Sequence, residues 1–198
     1  MVIELIKNIN LDWSCFWANE MWKPVDGYET EYSISTYGRV KALERITRNG
    51  KNSIMTNKEK IMRYSIQNTG YYTIILTING NKKNILIHRL MCINFIPNPD
   101  NKKCVDHIDG NKLNNKLENL RWATPSENLM NKKKKGNTTS IYKGVYCDKR
   151  TNKWISRVNI NGTSMWYGTH NTENEAGIAY NNKAIELFGT FAKINNII

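Results

Sequence analysis

Residues Val105–Asn131 constrain the fold of this chain more tightly than any other stretch. Cys104-Val105-Asp106-His107-Ile108 reads as a short strand that delivers Asp106 and His107 to its end. Asp109-Gly110-Asn111 then predicts a turn, because Gly and Asn tolerate backbone angles that other residues resist. Asn119–Ala123 reads as a second strand, and Thr124-Pro125-Ser126-Glu127 as a capping box with proline at the first helical position. The expected product is a β-β-α unit that draws Asp106, His107 and Asn128 toward one point. One geometric condition attaches to it. Neighbouring residues of a regular strand face opposite ways, so Asp106 and His107 share a site only where the strand ends or distorts.

Asp, His and Asn together suit hydrolysis of a phosphodiester, which needs a deprotonated water and something to absorb charge on the leaving oxygen. An unperturbed histidine titrates near neutrality, which makes His107 the natural general base. Asp106 and Asn128 offer hard oxygen ligands, which favour Mg²⁺ or Mn²⁺ over zinc. The bland alternative is a plain turn carrying a surface histidine. The rest of the chain favours a polyanionic partner: the formal net charge is +12, and ten Tyr and six Trp supply flat faces for stacking. Cys15, Cys92, Cys104 and Cys147 form no C-x-x-C pair, so reduced thiols in a reducing compartment are expected rather than a zinc site. Lys7, Asn8, Asn10 and Asp12 interrupt the N-terminal apolar run, which argues against a signal peptide, and no stretch is long enough to be a membrane span.

In chain order, residues 1–20 read as an arm, and 21–64 as a small β-rich module followed by a basic connection from about Ala42 to Tyr64. Arg45, Arg48, Lys51, Lys58, Lys60 and Arg63 make that connection either a solvated loop or a phosphate-contacting one. A hairpin is predicted at Asn79-Gly80, between apolar runs, and a short helix from His88 to Phe95, stopped by Pro97 and Pro99. His88 is a secondary catalytic candidate, with a structural role equally open. Lys132, Lys133, Lys134 and Lys135 end the central segment, 65–135; they fit a solvated tail, a nuclear address or a phosphate clamp. After a linker at 136–141, residues 142–198 predict three strands and a helix. That helix opens on a second capping box, Thr172 to Glu175, with an apolar face of Ala176, Ala179, Tyr180, Ala184 and Leu187.

Three segments carry family resemblances. Trp22–Val25, Gly27–Glu29, Tyr32–Ser35 and Gly38–Val40 resemble a small N-terminal module of homing-type nucleases. Asp106–Lys112, Asn114-Asn115, Glu118–Trp122 and Glu127-Asn128 closely resemble the HNH endonucleases of phage and viral homing type. That resemblance implies a β-β-α-metal fold that cuts DNA around one divalent ion. His107 would be the base, Asp106 and Asn128 the ligands, and Asn119 the middle motif residue tying the turn to the helix. Asn128 stands where many members have His. Tyr142–Val145, Trp166–Thr169, Glu175-Ala176 and Ala179–Asn181 resemble the APETALA-type DNA-binding domain. The family's mode of binding, with the sheet in the major groove, implies a DNA face of Lys143, Tyr146, Arg157, Asn159 and Trp166. Tyr146, Asn159 and Ser164 replace arginines common in that family, so base preference does not carry over. For Trp166 core packing is as open as DNA contact, and for Trp154 it is favoured.

The expectation is an α+β, multi-module chain: a β-rich N-terminal module, a central β-β-α-metal nuclease, and a C-terminal three-stranded antiparallel sheet with one helix. The expected function is a site-recognising, Mg²⁺- or Mn²⁺-dependent endonuclease acting on double-stranded DNA, intracellular in an infected host, monomeric or weakly dimeric. A DNA-binding regulator with a vestigial nuclease centre is the alternative.

Overall fold

The computed structural model describes residues 20–49, 53–134, 136, 139–160 and 162–198. The expected arm up to residue 19, Cys15, Lys51, Lys135, linker residues Asn137 and Thr138, and Asn161 of the last hairpin lie outside the described residues. The architecture is mixed, with several small antiparallel sheets and few helices. The chain divides into two compact units, residues 1–95 with 115–117, and residues 96–114 with 118–198.

In the first unit, β1 (Trp22–Pro24), β2 (Tyr32–Ser35), β3 (Val40–Ala42) and β6 (Lys60–Ile61) form one sheet in that order. β4 (Arg45–Asn49) and β5 (Ser53–Asn57) pair as a separate hairpin. The basic connection, read as either a solvated or a phosphate-contacting loop, is therefore largely strand. Ile46, Thr47, Ile54 and Thr56 carry high β-propensity among the charges, and cross-strand bonds such as Asn57 Nδ2 to Thr47 Oγ1 (2.8 Å) support the pairing. β7 (Ser65–Ile66), β8 (Tyr72–Ile78) and β9 (Asn81–Leu86) form a second sheet. The β8–β9 turn is Asn79-Gly80, with φ of 50° and 80°, the positive pair a two-residue hairpin demands. Helix α1 (Ile87–Phe95) packs on β8 and β9. Ile34, Val40, Leu76, Ile87 and Met91 are fully buried in this unit. Burial also pushes the Cys92 thiol up to about 12, which keeps it an inert core residue.

The second unit opens with β10 (Cys104–His107) and β11 (Leu120–Ala123), paired antiparallel, with helix α2 (Pro125–Met130) packed on both. Thr124 caps α2 as its sequence predicts: its side chain accepts from Glu127 N, and Glu127 accepts from Thr124 N. Then β12 (Val145–Asp148), β13 (Lys153–Ile160) and β14 (Thr163–His170) form a three-stranded antiparallel sheet, covered by helix α3 (Glu173–Phe188). Thr172 makes the second capping box. The helix buries Ala176, Tyr180 and Ala184 against Val145 and Val158, with Phe188 next along the same four-residue spacing. Leu187, expected on that face, is exposed, since it falls one position short of the spacing. The sheet and helix meet so closely at Gly144 (φ 72°) that a Cβ there would lie 2.1 Å from the Tyr180 ring and 2.6 Å from the Arg157 carbonyl oxygen. Only glycine satisfies both the dihedral and the space.

Candidate active site

The register of the β10–β11 pair sets Asp106 opposite Arg121 and His107 opposite Leu120. Asp106 is 4 % exposed and His107 5 %. A carboxylate so buried needs partners, and it has them. Arg121 donates to Asp106 Oδ2 from Nε (2.8 Å) and Nη2 (2.7 Å). Asn131, buried at the end of α2, donates from Nδ2 to Oδ1 (3.0 Å) and Oδ2 (3.1 Å). The same amide reaches the His107 and Ile108 carbonyl oxygens at 2.8 and 3.2 Å. One asparagine thus fastens the helix to the end of the strand that carries both candidate residues.

The strand stops at His107. Gly110 N donates to the His107 carbonyl at 2.8 Å, closing a turn in which Gly110 adopts φ 74°. The condition for Asp106 and His107 to serve one site, an end of regular strand, is present. Asn119 organises this turn. Its Oδ1 accepts from Asp109 N (3.0 Å), and its Nδ2 donates to Asp109 Oδ1 (3.0 Å) and to the Asn114 carbonyl (2.8 Å). Those bonds tie the turn to the start of β11 rather than reaching helix α2. Partial desolvation works to raise the Asp109 pKa, but hydrogen bonds from Asn114, Asn111 N and Asn119 outweigh it, with a contribution from His107, and hold the carboxyl below its usual range.

Asn128 lies half-buried, one turn before Asn131 on the same helical face. Its side chain hydrogen-bonds to no other described residue, so its amide oxygen is open to an ion. Asp106 Oδ1 takes a single hydrogen bond, from Asn131, and keeps a lone pair. One carboxylate oxygen and one amide oxygen fit a hard divalent cation that retains most of its waters. No group of three or more His, Cys, Asp or Glu among the described residues is placed to hold a metal, so the donor set is a thin one. His88 belongs to the first unit, where it is buried on α1 with its ring 4.7 Å from that of Tyr71.

Sequence reasoning missed Arg121 and Asn131. The C-terminal end of this unit braces the first of them: Arg121 Nη1 donates to the Thr190 carbonyl (2.8 Å), and its guanidinium lies 3.7 Å from the centre of the Phe191 ring. Their signal was available in part, since Arg121 is the charge-complementary cross-strand neighbour of Asp106 and Asn131 follows Asn128 by one turn.

On the C-terminal sheet, Tyr146, Arg157, Asn159 and Trp166 come together. Arg157 pairs across the strands with Trp166 and stacks over the Tyr146 ring at 4.6 Å; Asn159 pairs with Ser164. They stand on the face opposite the helix, where Trp166 is 65 % exposed, whereas Trp154 packs against the core. Lys143 departs from this set. It precedes β12, half-buried, and its Nζ donates to the Met130 carbonyl of α2. Lys132 and Lys133 are exposed, and Lys134 is half-buried.

Comparison with known proteins places these segments. Residues 20–77 match the family described as NUMOD4 motif, and residues 85–130 the family described as HNH endonuclease. An uncharacterized HNH endonuclease, L247, of Acanthamoeba polyphaga mimivirus is 35 % identical over 145 residues, 69 % of this chain and 32 % of that protein. DNA endonuclease I-HmuI of Bacillus phage SP01 is 34 % identical over 115 residues, 58 % of this chain and 59 % of that one. Protein 3.8 of Escherichia phage T7 is 36 % identical over 89 residues, which are 45 % of this chain and 73 % of that protein. A solved structure of I-HmuI, concerned with its DNA binding and cleavage, aligns at 35 % identity over 56 % of each chain, with a TM-score of 0.46. The chain spans about a third of the mimivirus protein and three-fifths of the phage SP01 enzyme.

Proposed function

We propose, from the match of residues 85–130 to the HNH endonuclease family and of residues 20–77 to the NUMOD4 motif ahead of it, that this chain is a homing-type DNA endonuclease. It would hydrolyse a phosphodiester in double-stranded DNA and leave 5′-phosphate and 3′-hydroxyl ends. The observation that carries the reading is the arrangement at the end of β10. There a buried carboxylate is held by Arg121 and Asn131, and the histidine beside it sits where the strand gives way to a turn.

In this mechanism His107 takes the proton of the attacking water, and burial keeps its ring in one orientation. Asp106 and Asn128 would hold one Mg²⁺ or Mn²⁺, and that ion would supply stabilisation of the charge on the leaving oxygen. Arg121 and Asn131 fix the direction in which the free lone pair of Asp106 Oδ1 points. Asn119 and Asp109 keep the turn after His107 in one shape. The C-terminal module is an APETALA-type DNA-binding domain in this proposal, with Tyr146, Arg157, Asn159 and Trp166 laid against the duplex. An exposed tryptophan beside an exposed arginine, opposite a helix-covered face, supports that docking. The NUMOD4 segment adds contacts of its own, and the protein acts within the infected cell as a monomer or weak dimer.

The test is supercoiled plasmid incubated with the full chain in Mg²⁺ or in EDTA. Open circles or linear product in Mg²⁺ alone are the expected result. Retarded but intact plasmid under both conditions would instead fit a regulator with a vestigial centre.

A further inference from the structure

The second unit contains a cavity of about 510 Å³ that begins at Ile108 and Asp109, directly after His107, and runs to the C-terminal segment. Lys133, Lys134, Lys143 and Lys193 line it, against the single carboxylate of Asp109. That carboxylate is already engaged by Asn111 N, Asn114 and Asn119. The lysines are poorly matched. Lys134 Nζ is buried with no hydrogen-bond partner. Lys193 makes no hydrogen bond or ion pair with another described residue, and Lys143 has only a backbone carbonyl. An ammonium withdrawn from water without an acceptor is costly, so Lys134, with the half-buried Lys143 and Lys193 and the exposed Lys133 around the same space, fits an anion that supplies acceptors. Burial pushes Lys143 down to about 8, with Lys193 acting in the same direction, which is the strain an anion would relieve. Burial likewise holds Lys134 below the usual lysine range, though Glu173 opposes it.

We propose that this cavity seats a backbone phosphate of bound DNA, flanking the one cut at His107. The inference rests on the nuclease reading above. Several features favour a polymer phosphate over a free ion. The volume exceeds what one phosphate fills and falls among the clefts that hold whole small-molecule ligands. Ile141 and Ala192 give the space an apolar wall for that sugar. Its position between the His107 turn and the C-terminal segment then makes the seat a spacer: the strand is gripped one step from where it is cut. Lys133 and Lys134 become part of a built site rather than of a solvated tail.

Lys134 and Lys193 hold no hydrogen bond within the described protein, so Lys134→Gln/Lys193→Gln tests the seat with little risk to folding. The measurement is the affinity of the full chain for a labelled DNA duplex across potassium chloride concentrations, in metal-free buffer so that nothing is cut. Lys82→Gln/Lys83→Gln, on exposed β9, removes the same charge as a control. The slope of log affinity against log salt should shrink by about 1 in the first variant and stay unchanged in the control. Equal slopes in wild type and both variants would overturn the proposal, as would equal loss in the two variants or no duplex binding by the wild type. Inorganic phosphate that competes at low millimolar concentration in the wild type but not in the variant, with slopes unchanged, would assign the cavity to a free anion and overturn it too. The two readings fail separately: a protein that never cuts plasmid yet shows the slope change keeps the phosphate seat and loses the nuclease, and a cutting protein with equal slopes does the reverse.

Discussion

Replacing His107 by alanine should lower the plasmid-cutting rate by roughly 10² to 10⁴-fold, the usual contribution of a positioned general base, while duplex affinity in EDTA changes little. The separation follows from where His107 stands. It is 5 % exposed at the end of β10, apart from the exposed Arg157–Trp166 face, and its proposed role is to act on a water. The substitution removes a buried ring, so circular dichroism and a denaturation midpoint must accompany the rates. A properly folded variant that cuts at the wild-type rate would remove His107 from the mechanism. Equal losses of binding and cutting would make it a structural residue.

The second large effect is on stability. Arg121→Ala should cost on the order of 3–5 kcal/mol, the range for stripping one partner from a buried ion pair. Asp106, 4 % exposed in the intact protein, would keep only Asn131 as a side-chain donor. The loss is compounded because Arg121 also holds the Thr190 carbonyl and lies against Phe191. Arg121→Lys keeps the charge without the two-pronged fork and should fall in between. The urea midpoint reads the effect. A shift equivalent to less than about 1 kcal/mol, as expected of an exposed pair, would mean that Asp106 is not held in the way described.

Local features of this fold were legible from local sequence. Both capping boxes, Thr124 with Glu127 and Thr172 with Glu175, close through bonds spanning three residues, and Asn79-Gly80 carries its hairpin because its own dihedrals demand it. The β4–β5 hairpin was obscured because its charged residues mask the β-branched pattern beneath them. What could not be read was distant in the chain. Asn131 reaches Asp106 across 25 residues, and Arg121 reaches Thr190 across 69; no spacing rule links such positions until β10, β11 and α2 are packed. The direction of Lys143 is a similar case. The APETALA-type resemblance implied the outer sheet face, whereas Lys143, between the buried Tyr142 and the tight approach at Gly144, donates to the Met130 carbonyl of α2.

In the proposed mechanism Asp106 and Asn128 would together hold the ion beside His107. A Mg²⁺ titration of plasmid cutting by wild type and by Asn128→Ala tests this most directly. Asn128 makes no side-chain hydrogen bond with the described protein, so its truncation should leave the denaturation midpoint nearly unchanged. It should raise the Mg²⁺ concentration for half-maximal cutting by about 10-fold or more, since changes beyond the first ligand layer alone cost 10 to 100-fold in metal affinity. Identical titration curves for the two proteins, or cutting that persists in EDTA, would contradict it.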